Sequence, residues 1–227
     1  MQTQESAVAV KVSEGFIPPL GLEHRILSAL NWIDSADLEG ITFVFLFDGV
    51  PSITPGKNRA LDEAIREGLL LFAAYNARSA NWPAHIMLMA RNLYKPIPRL
   101  LQHSPALTLW IAENIAHEVG HHLIAERRFT SRPRPDGAGT EEEEEFADRY
   151  AKSITAKMKS SPRYQFGSFL LRMAAKSNYY KGARSWKKGR YQIAADYFYL
   201  ATQLNRDHPE ASYWFWKAKE RASDQNA

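Results

Sequence analysis

The chain has 227 residues and a formal net charge of +4, enough for one sizeable domain or for one domain with a small appendage. Hydrophobic residues make up 45% and charged residues 24%, a balance typical of a globular protein with a buried core. The chain has no cysteine, which excludes disulfides and thiolate metal sites, so that any metal must be held by histidines and carboxylates. The basic residues are scattered along the chain, which argues against nucleic-acid binding.

The N-terminal residues 1–19 are polar or irregular and predict a flexible lead-in without the features of a signal peptide. The strongest apolar run, Ile41–Phe47, is much shorter than the roughly 20 residues that a membrane-spanning helix needs. We therefore expect a cytoplasmic protein with no transmembrane segment.

The first half of the chain predicts alternating helices and strands. Apolar residues recur at helical spacing from Leu22 to Ile33. The β-branched and aromatic run Ile41–Phe47 predicts a buried strand. A helix is then expected over about Asn58–Tyr75, and a second strand over His85–Ala90.

A long helix is predicted from Pro105 onward. Ser104 is a suitable N-cap, and proline is favoured at the first helical position. The helix continues through His121, and its apolar residues recur at every fourth position: Leu107, Ile111 and Ile115.

Two further helix starts follow. Thr140 and Glu143 have the spacing of a capping box, and acidic residues crowd the first turn after Thr140. Ser161 and Pro162 repeat the N-cap and proline combination, which predicts another helix from residue 162.

From about Ala175 the chain becomes aromatic-rich and helical. Small and aromatic residues recur here in a pattern that comprises Gly182, Gly189, Tyr191, Ala194, Phe198 and Ala201. This pattern resembles one tetratricopeptide (TPR) repeat, a helix-turn-helix unit. A single repeat of this kind cannot bury its own apolar face, so it must pack on the preceding domain or on a protein partner.

The segment HEVGH at residues 117–121 is the strongest chemical motif in the chain. On a helix, positions i and i+4 share one face, so His117 and His121 can bind one metal ion. Glu118 lies one step round the helix, where it can take a proton from a water that the metal activates. Gly120 costs about 1 kcal/mol relative to alanine inside a helix, and a close approach by another element beside the metal would explain it.

A catalytic zinc needs a third protein ligand and keeps one position open. The glutamate run at residues 141–145 can supply that ligand. Glu144 lies on the inward stripe with Ala147 and Ala151, which favours it, although the run leaves the choice open by one position. Asp148 lies one turn beyond Glu144, where it can accept a hydrogen bond from a ligating histidine.

These two motifs together resemble the gluzincin metallopeptidases, over about Leu107–Met158. The spacing from Glu144 to Ala147 and Asp148 is similar to the ExxAD helix of the CAAX-protease-like and HtpX-like group, and the ImmA/IrrE-like peptidases are also similar. The resemblance implies that Glu144 binds zinc and that Asp148 supports a histidine. It also implies an edge strand that aligns an extended substrate, for which we expect His85–Ala90.

Other polar residues near the motifs have no defined role in the sequence. We interpret His122 as an exposed residue or a supporting neighbour of the site, and not as a ligand. Arg149 and Tyr150 are candidates for stabilising an oxyanion, but the sequence favours neither.

We therefore predict an α+β protein in which residues 20–160 form a zincin-like domain and residues 161–227 a helical TPR-like region. The predicted function is a zinc (Zn²⁺) peptidase acting on peptide or protein substrates, with His117, His121 and Glu144 as ligands and Glu118 as general base. The C-terminal helices are a possible site for a protein partner. The alternatives are a non-catalytic regulatory or protein-binding module built on the same fold, and the hydrolysis of a non-peptide amide.

Overall fold

A computed structural model describes residues 8–49, 71–80, 82–129, 141–206 and 208–226. These ranges contain both helices and a mixed β-sheet, which confirms the α+β class. The strands are β1 (Ala9–Val12), β2 (Phe43–Phe47), β3 (Ala73–Asn76) and β4 (His85–Met89). The helices are α1 (Leu22–Leu30), α2 (Ala90–Tyr94), α3 (Pro105–Phe129), α4 (Glu141–Met158), α5 (Pro162–Lys187), α6 (Tyr191–Leu204) and α7 (Ala211–Asn226), and a 3₁₀ turn covers Arg99–Leu101.

The four strands form one sheet in the order β1-β2-β4-β3. Strands β1, β2 and β4 are parallel, whereas β3 is antiparallel to β4. Successive side chains of a strand point to opposite faces of the sheet. Val44 and Ile86 accordingly join the main hydrophobic core with α1 and α3, while Phe47 and Met87 belong to a separate apolar cluster.

Three predictions for the sheet need correction. The predicted lead-in over residues 1–19 is wrong for Ala9–Val12, because these residues pair with β2 as strand β1. The predicted helix Asn58–Tyr75 lies mostly outside the described residues, and its end is wrong because Ala73–Asn76 is strand β3. The strand at His85 exists, but β4 has partners on both sides and is therefore not an edge strand.

Helix α3 runs through the centre of the molecule and begins as predicted. The Ser104 Oγ accepts a hydrogen bond from the Ala106 backbone N–H at 3.2 Å, which satisfies one of the free donors at a helix start. The predicted apolar stripe of α3 is fully buried and comprises Leu107, Ile111 and Ile115. Arg25 on α1 donates a hydrogen bond to the Thr108 Oγ1 at 2.8 Å, which ties α1 to the start of α3.

The C-terminal helices pack onto the earlier elements and onto one another. Helix α5 crosses the start of α3 closely, since a Cβ atom on Gly167 would lie 3.1 Å from the Pro105 carbonyl carbon. Farther along α5, Gly182 accommodates the Phe198 ring of α6, because a Cβ there would lie 2.8 Å from that ring. The helical character predicted for this region is confirmed, and the main core extends into α5 and α6.

The two longest helices are α3 with 25 residues and α5 with 26. Among the described residues, no helix is apolar enough over sufficient length to cross a membrane.

Candidate metal centre

His117 and His121 lie one turn apart on α3, and their imidazole rings converge. The two Nε2 atoms are 3.2 Å apart, and the ring centroids are 4.9 Å apart. Both side chains are largely buried, with 17% and 21% of their surface exposed. The structure thus places two imidazole nitrogens side by side on one face of α3, as the i, i+4 spacing predicts.

Glu144 brings a carboxylate to the same point from the first turn of α4. Its Oε2 lies 3.4 Å from the His117 Nε2, and its Oε1 lies 3.4 Å from the His121 Nε2. Its neighbour Glu145 instead pairs with Arg149 at 2.7 Å. Among the described residues, His117, His121 and Glu144 form the one group with the spacing of a metal site.

The spacing of the three donor groups fits a zinc ion. Zinc–nitrogen and zinc–oxygen bonds of about 2.0–2.1 Å, arranged tetrahedrally, place neighbouring ligand atoms about 3.3 Å apart. The nitrogen–nitrogen distance here is 3.2 Å, and each histidine nitrogen lies 3.4 Å from a different oxygen of the Glu144 carboxylate. Two imidazoles and one carboxylate are also the ligand set of one class of catalytic zinc site, in which the fourth position is open.

A close contact between Gly120 on α3 and Ala147 on α4 sets this arrangement. A Cβ atom on Gly120 would lie 2.6 Å from the Ala147 Cα and 3.0 Å from its Cβ, closer than non-bonded carbon atoms pack. Glu144 and Asp148 lie one turn before and one residue after Ala147, so this crossing brings both acids to the histidines. The close approach of another element that Gly120 predicts is therefore present, between α3 and α4.

Asp148 contacts the other nitrogen of the first histidine. Its Oδ1 lies 2.9 Å from the His117 Nδ1, within hydrogen-bonding distance. The Nε2 on the other side of the ring faces His121 and Glu144. The structure thus places Asp148 next to His117, on the side of the ring away from the other two donor residues.

The charges of the cluster shift the pKa values of its members. Burial by itself lowers the pKa of His117, but the carboxylates of Asp148 and Glu144 outweigh it and raise this pKa to about 10. His117 in turn lowers the pKa of Glu144. Burial raises the pKa of Asp148, but His117 and Arg206 outweigh it and lower this pKa to about 2. Without a metal, the centre therefore favours an imidazolium held between two carboxylates.

Glu118 follows His117 on α3 and is buried. Its charge is close enough to His117 to contribute to the raised pKa of that histidine. The structure thus places a buried carboxylate near His117 and outside the group of three donor residues.

Two charged residues that the sequence did not single out complete the cluster. Arg206, in the turn after α6, forms an ion pair with Asp148 through its Nη1. Its Nε lies 3.9 Å from the Glu113 Oε1. Glu113 lies four residues before His117 on α3, and this spacing indicates that the two side chains share one face of the helix. Nothing in the local sequence indicates Arg206.

His122 lies outside the group of three donor residues. It is buried, so of the two alternatives, an exposed residue or a supporting neighbour, the first is wrong. Its Nε2 donates to the Glu39 carbonyl oxygen at 2.7 Å, and its Nδ1 lies 3.0 Å from the Tyr75 hydroxyl on β3. His122 thereby joins α3 to strand β3 and to the loop before β2.

The candidate oxyanion donors have other partners. The Tyr150 hydroxyl donates a hydrogen bond to the Asp37 Oδ2 at 2.7 Å, and burial together with Asp37 raises the pKa of Tyr150. Arg149 is exposed and paired with Glu145. Neither contact directs these side chains to the histidines.

Comparisons of the chain with known protein families, with curated proteins and with solved structures found no match.

Proposed function

We propose that the protein is a zinc-dependent peptidase. The observation that supports this most is the meeting of His117, His121 and Glu144 at ligand spacing, with Glu118 buried beside them. Two helices cross at Gly120 to create this spacing, which a set of solvated polar residues would not require.

Each residue of the cluster has a distinct role in the proposed reaction. Zinc, when bound, polarises the scissile carbonyl and lowers the pKa of a water molecule towards about 7. Glu118 accepts the proton of the attacking water and later delivers it to the leaving amine. Asp148 holds His117 in the tautomer whose Nε2 faces the other donors.

Strand β3 is the place where we propose that an extended substrate binds. Among the described strands, β3 pairs with β4 alone, so a peptide can add to its other edge by backbone hydrogen bonds. The contact between Tyr75 on β3 and His122 on α3 holds this edge beside the metal helix. The edge strand that the family resemblance implies is thus assigned to Ala73–Asn76 in this proposal, in place of His85–Ala90.

In this proposal, residues 20–160 are the zincin-like catalytic domain. Residues 161–227 are the TPR-like region. The proposed substrates of the catalytic domain are cytoplasmic peptides or proteins. The TPR-like assignment is supported by the helices α5, α6 and α7, which stack consecutively through a shared aromatic cluster that includes Phe198 and Trp214.

The function is tested by replacing the proposed base. We expect Glu118→Gln to bind about one zinc ion per chain, as the wild type does, and to lose hydrolysis of fluorescein-labelled casein and of a fluorescence-quenched peptide library. The loss should be at least 10²-fold, the lower end of the usual contribution of a general base. Glu126→Gln is the matched control, because Glu126 lies two turns farther along α3 and is exposed; it should keep both properties.

The same measurements separate the alternatives. A Glu118→Gln variant that cleaves peptides as fast as the wild type excludes the proposed mechanism. If the protein binds zinc but cleaves only small non-peptide amides, the ligand assignment stands and the substrate class is wrong. A non-catalytic binding module would show partner binding that depends on residues 178–227 and is insensitive to Glu118→Gln.

A further inference from the structure

Arg206 connects the C-terminal helices to the candidate metal centre. It lies in the turn between α6 and α7, far from the HEVGH segment in sequence, yet its Nη1 forms an ion pair with the Asp148 Oδ1. Its Nε lies 3.9 Å from the Glu113 Oε1. About a third of its side chain is exposed, so this contact is partly shielded from solvent.

One oxygen atom of Asp148 serves both neighbours. The Oδ1 that contacts Arg206 is also the atom that lies 2.9 Å from the His117 Nδ1. A carboxylate held by a single partner can rotate about its side-chain torsions, whereas a second, charged partner limits that rotation. A change in the rotamer of Asp148 would move the same oxygen away from both Arg206 and the His117 ring.

Arg206 also balances the negative charge behind the histidine. Glu113 and Asp148 both lie near His117. The two carboxylates repel each other, and the charge of Asp148 contributes, after burial, to the raised pKa of Glu113. The guanidinium is placed between them and opposes this repulsion. A planar group with several donors suits this position better than the single ammonium of lysine.

From these contacts we infer that Arg206 is a positioning residue of the metal centre, acting through Asp148 on His117. This inference rests on the proposed function, since it assumes that His117 is a ligand. The turn between α6 and α7 is then a structural part of the catalytic centre.

The inference is tested by zinc affinity in the full-length protein, measured by competition with a fluorescent chelator. We expect Arg206→Gln to weaken zinc binding by roughly 10- to 100-fold, the usual effect of losing a residue that supports a ligand. Arg206→Lys should fall between Arg206→Gln and the wild type. Arg221→Gln, which removes an exposed arginine of α7, is the matched control and should bind zinc as the wild type does.

A double variant distinguishes positioning from general stability. If Arg206 acts through Asp148, Asp148→Asn combined with Arg206→Gln should bind zinc no more weakly than Asp148→Asn alone. The visible spectrum of the cobalt-substituted protein should change in the same way in both single variants. A lower melting temperature with unchanged zinc affinity and cobalt spectrum would show a merely structural role and overturn the inference.

The remaining outcomes separate the inference from the proposed function. Normal zinc binding by Arg206→Gln together with weak binding by Asp148→Asn overturns the role of Arg206 and leaves the proposed function intact. A wild-type protein that does not bind zinc overturns both.

Discussion

Glu144 is the most exposed member of the group of three donor residues, with 56% of its side chain accessible. Exposed glutamates in the first turn of a helix are also favoured by the helix dipole, so their presence there does not by itself indicate a ligand. What distinguishes Glu144 from its neighbours is that each of its oxygens lies 3.4 Å from one of the two histidines. Its proposed role as a ligand can be tested separately from catalysis.

We expect Glu144→Gln to weaken zinc binding by more than the roughly 10- to 100-fold that is typical of losing a supporting residue. The physical reason is that an amide oxygen carries no charge to offset that of the ion. Competition with a chelator measures the effect. Glu142→Gln is the matched control, because Glu142 is exposed in the same turn. Weakening by Glu142→Gln in place of Glu144→Gln would assign the ligand to the other residue.

The metal-free protein should show a pH dependence that comes from His117. The pKa of this residue is raised from 6.5 to about 10, so its protonation stabilises the folded state fully below pH about 6.5, and this contribution is lost as the pH rises towards about 10. Urea unfolding in the presence of a chelator should therefore show the advantage of wild type over His117→Gln shrinking across this window.

The control for this prediction is His24→Gln, which removes an exposed histidine of α1. A difference between the wild type and His117→Gln that stays constant across the same pH window would show that the two carboxylates do not stabilise the imidazolium.

At the scale of elements, the crossing of α3 and α4 decides the geometry of the site. Alanine is favoured over glycine by about 1 kcal/mol inside a helix, so propensity alone predicts that Gly120→Ala stabilises the protein. The added Cβ would lie 2.6 Å from the Ala147 Cα, however, and a backbone atom cannot move aside as a flexible side chain can. The helices would have to separate.

We expect Gly120→Ala to lower the free energy of unfolding by about 1–3 kcal/mol, the usual cost of overpacking a close contact. It should also weaken zinc binding, because Glu144 moves with α4 away from the histidines. Chemical denaturation and chelator competition measure the two effects. A variant that gains stability with unchanged zinc affinity would contradict the role assigned to this contact.

At the scale of the whole molecule, helix α3 and the convergence of its two histidines could be predicted because their determinants are local. The cap at Ser104 and the apolar stripe through Ile111 fix the start and the inward face of α3. The i, i+4 spacing then directs His117 and His121 to one side. The small residues Gly120 and Ala147 marked the contact between two helices, although neither alone identified the other.

The strands β1 and β3 could not be predicted in the same way. Each has 4 residues, too few for a period of two to stand out from the flanking sequence. The segment Ala73–Asn76 begins with two alanines, which favour a helix, and its pairing with β4 overrides this local preference. Arg206 was missed because its partners come from other helices, and no local pattern records such contacts.

The ion pair between Arg206 and Asp148 can form only late in the synthesis of the protein. Because a chain emerges from the ribosome with its N-terminus first, the HEVGH segment emerges well before the turn between α6 and α7. A growing chain can already carry both histidines and Glu118 while Arg206, the ion-pair partner of Asp148, is still to be added. The candidate metal centre of a nascent chain therefore lacks this charged partner until that turn has emerged.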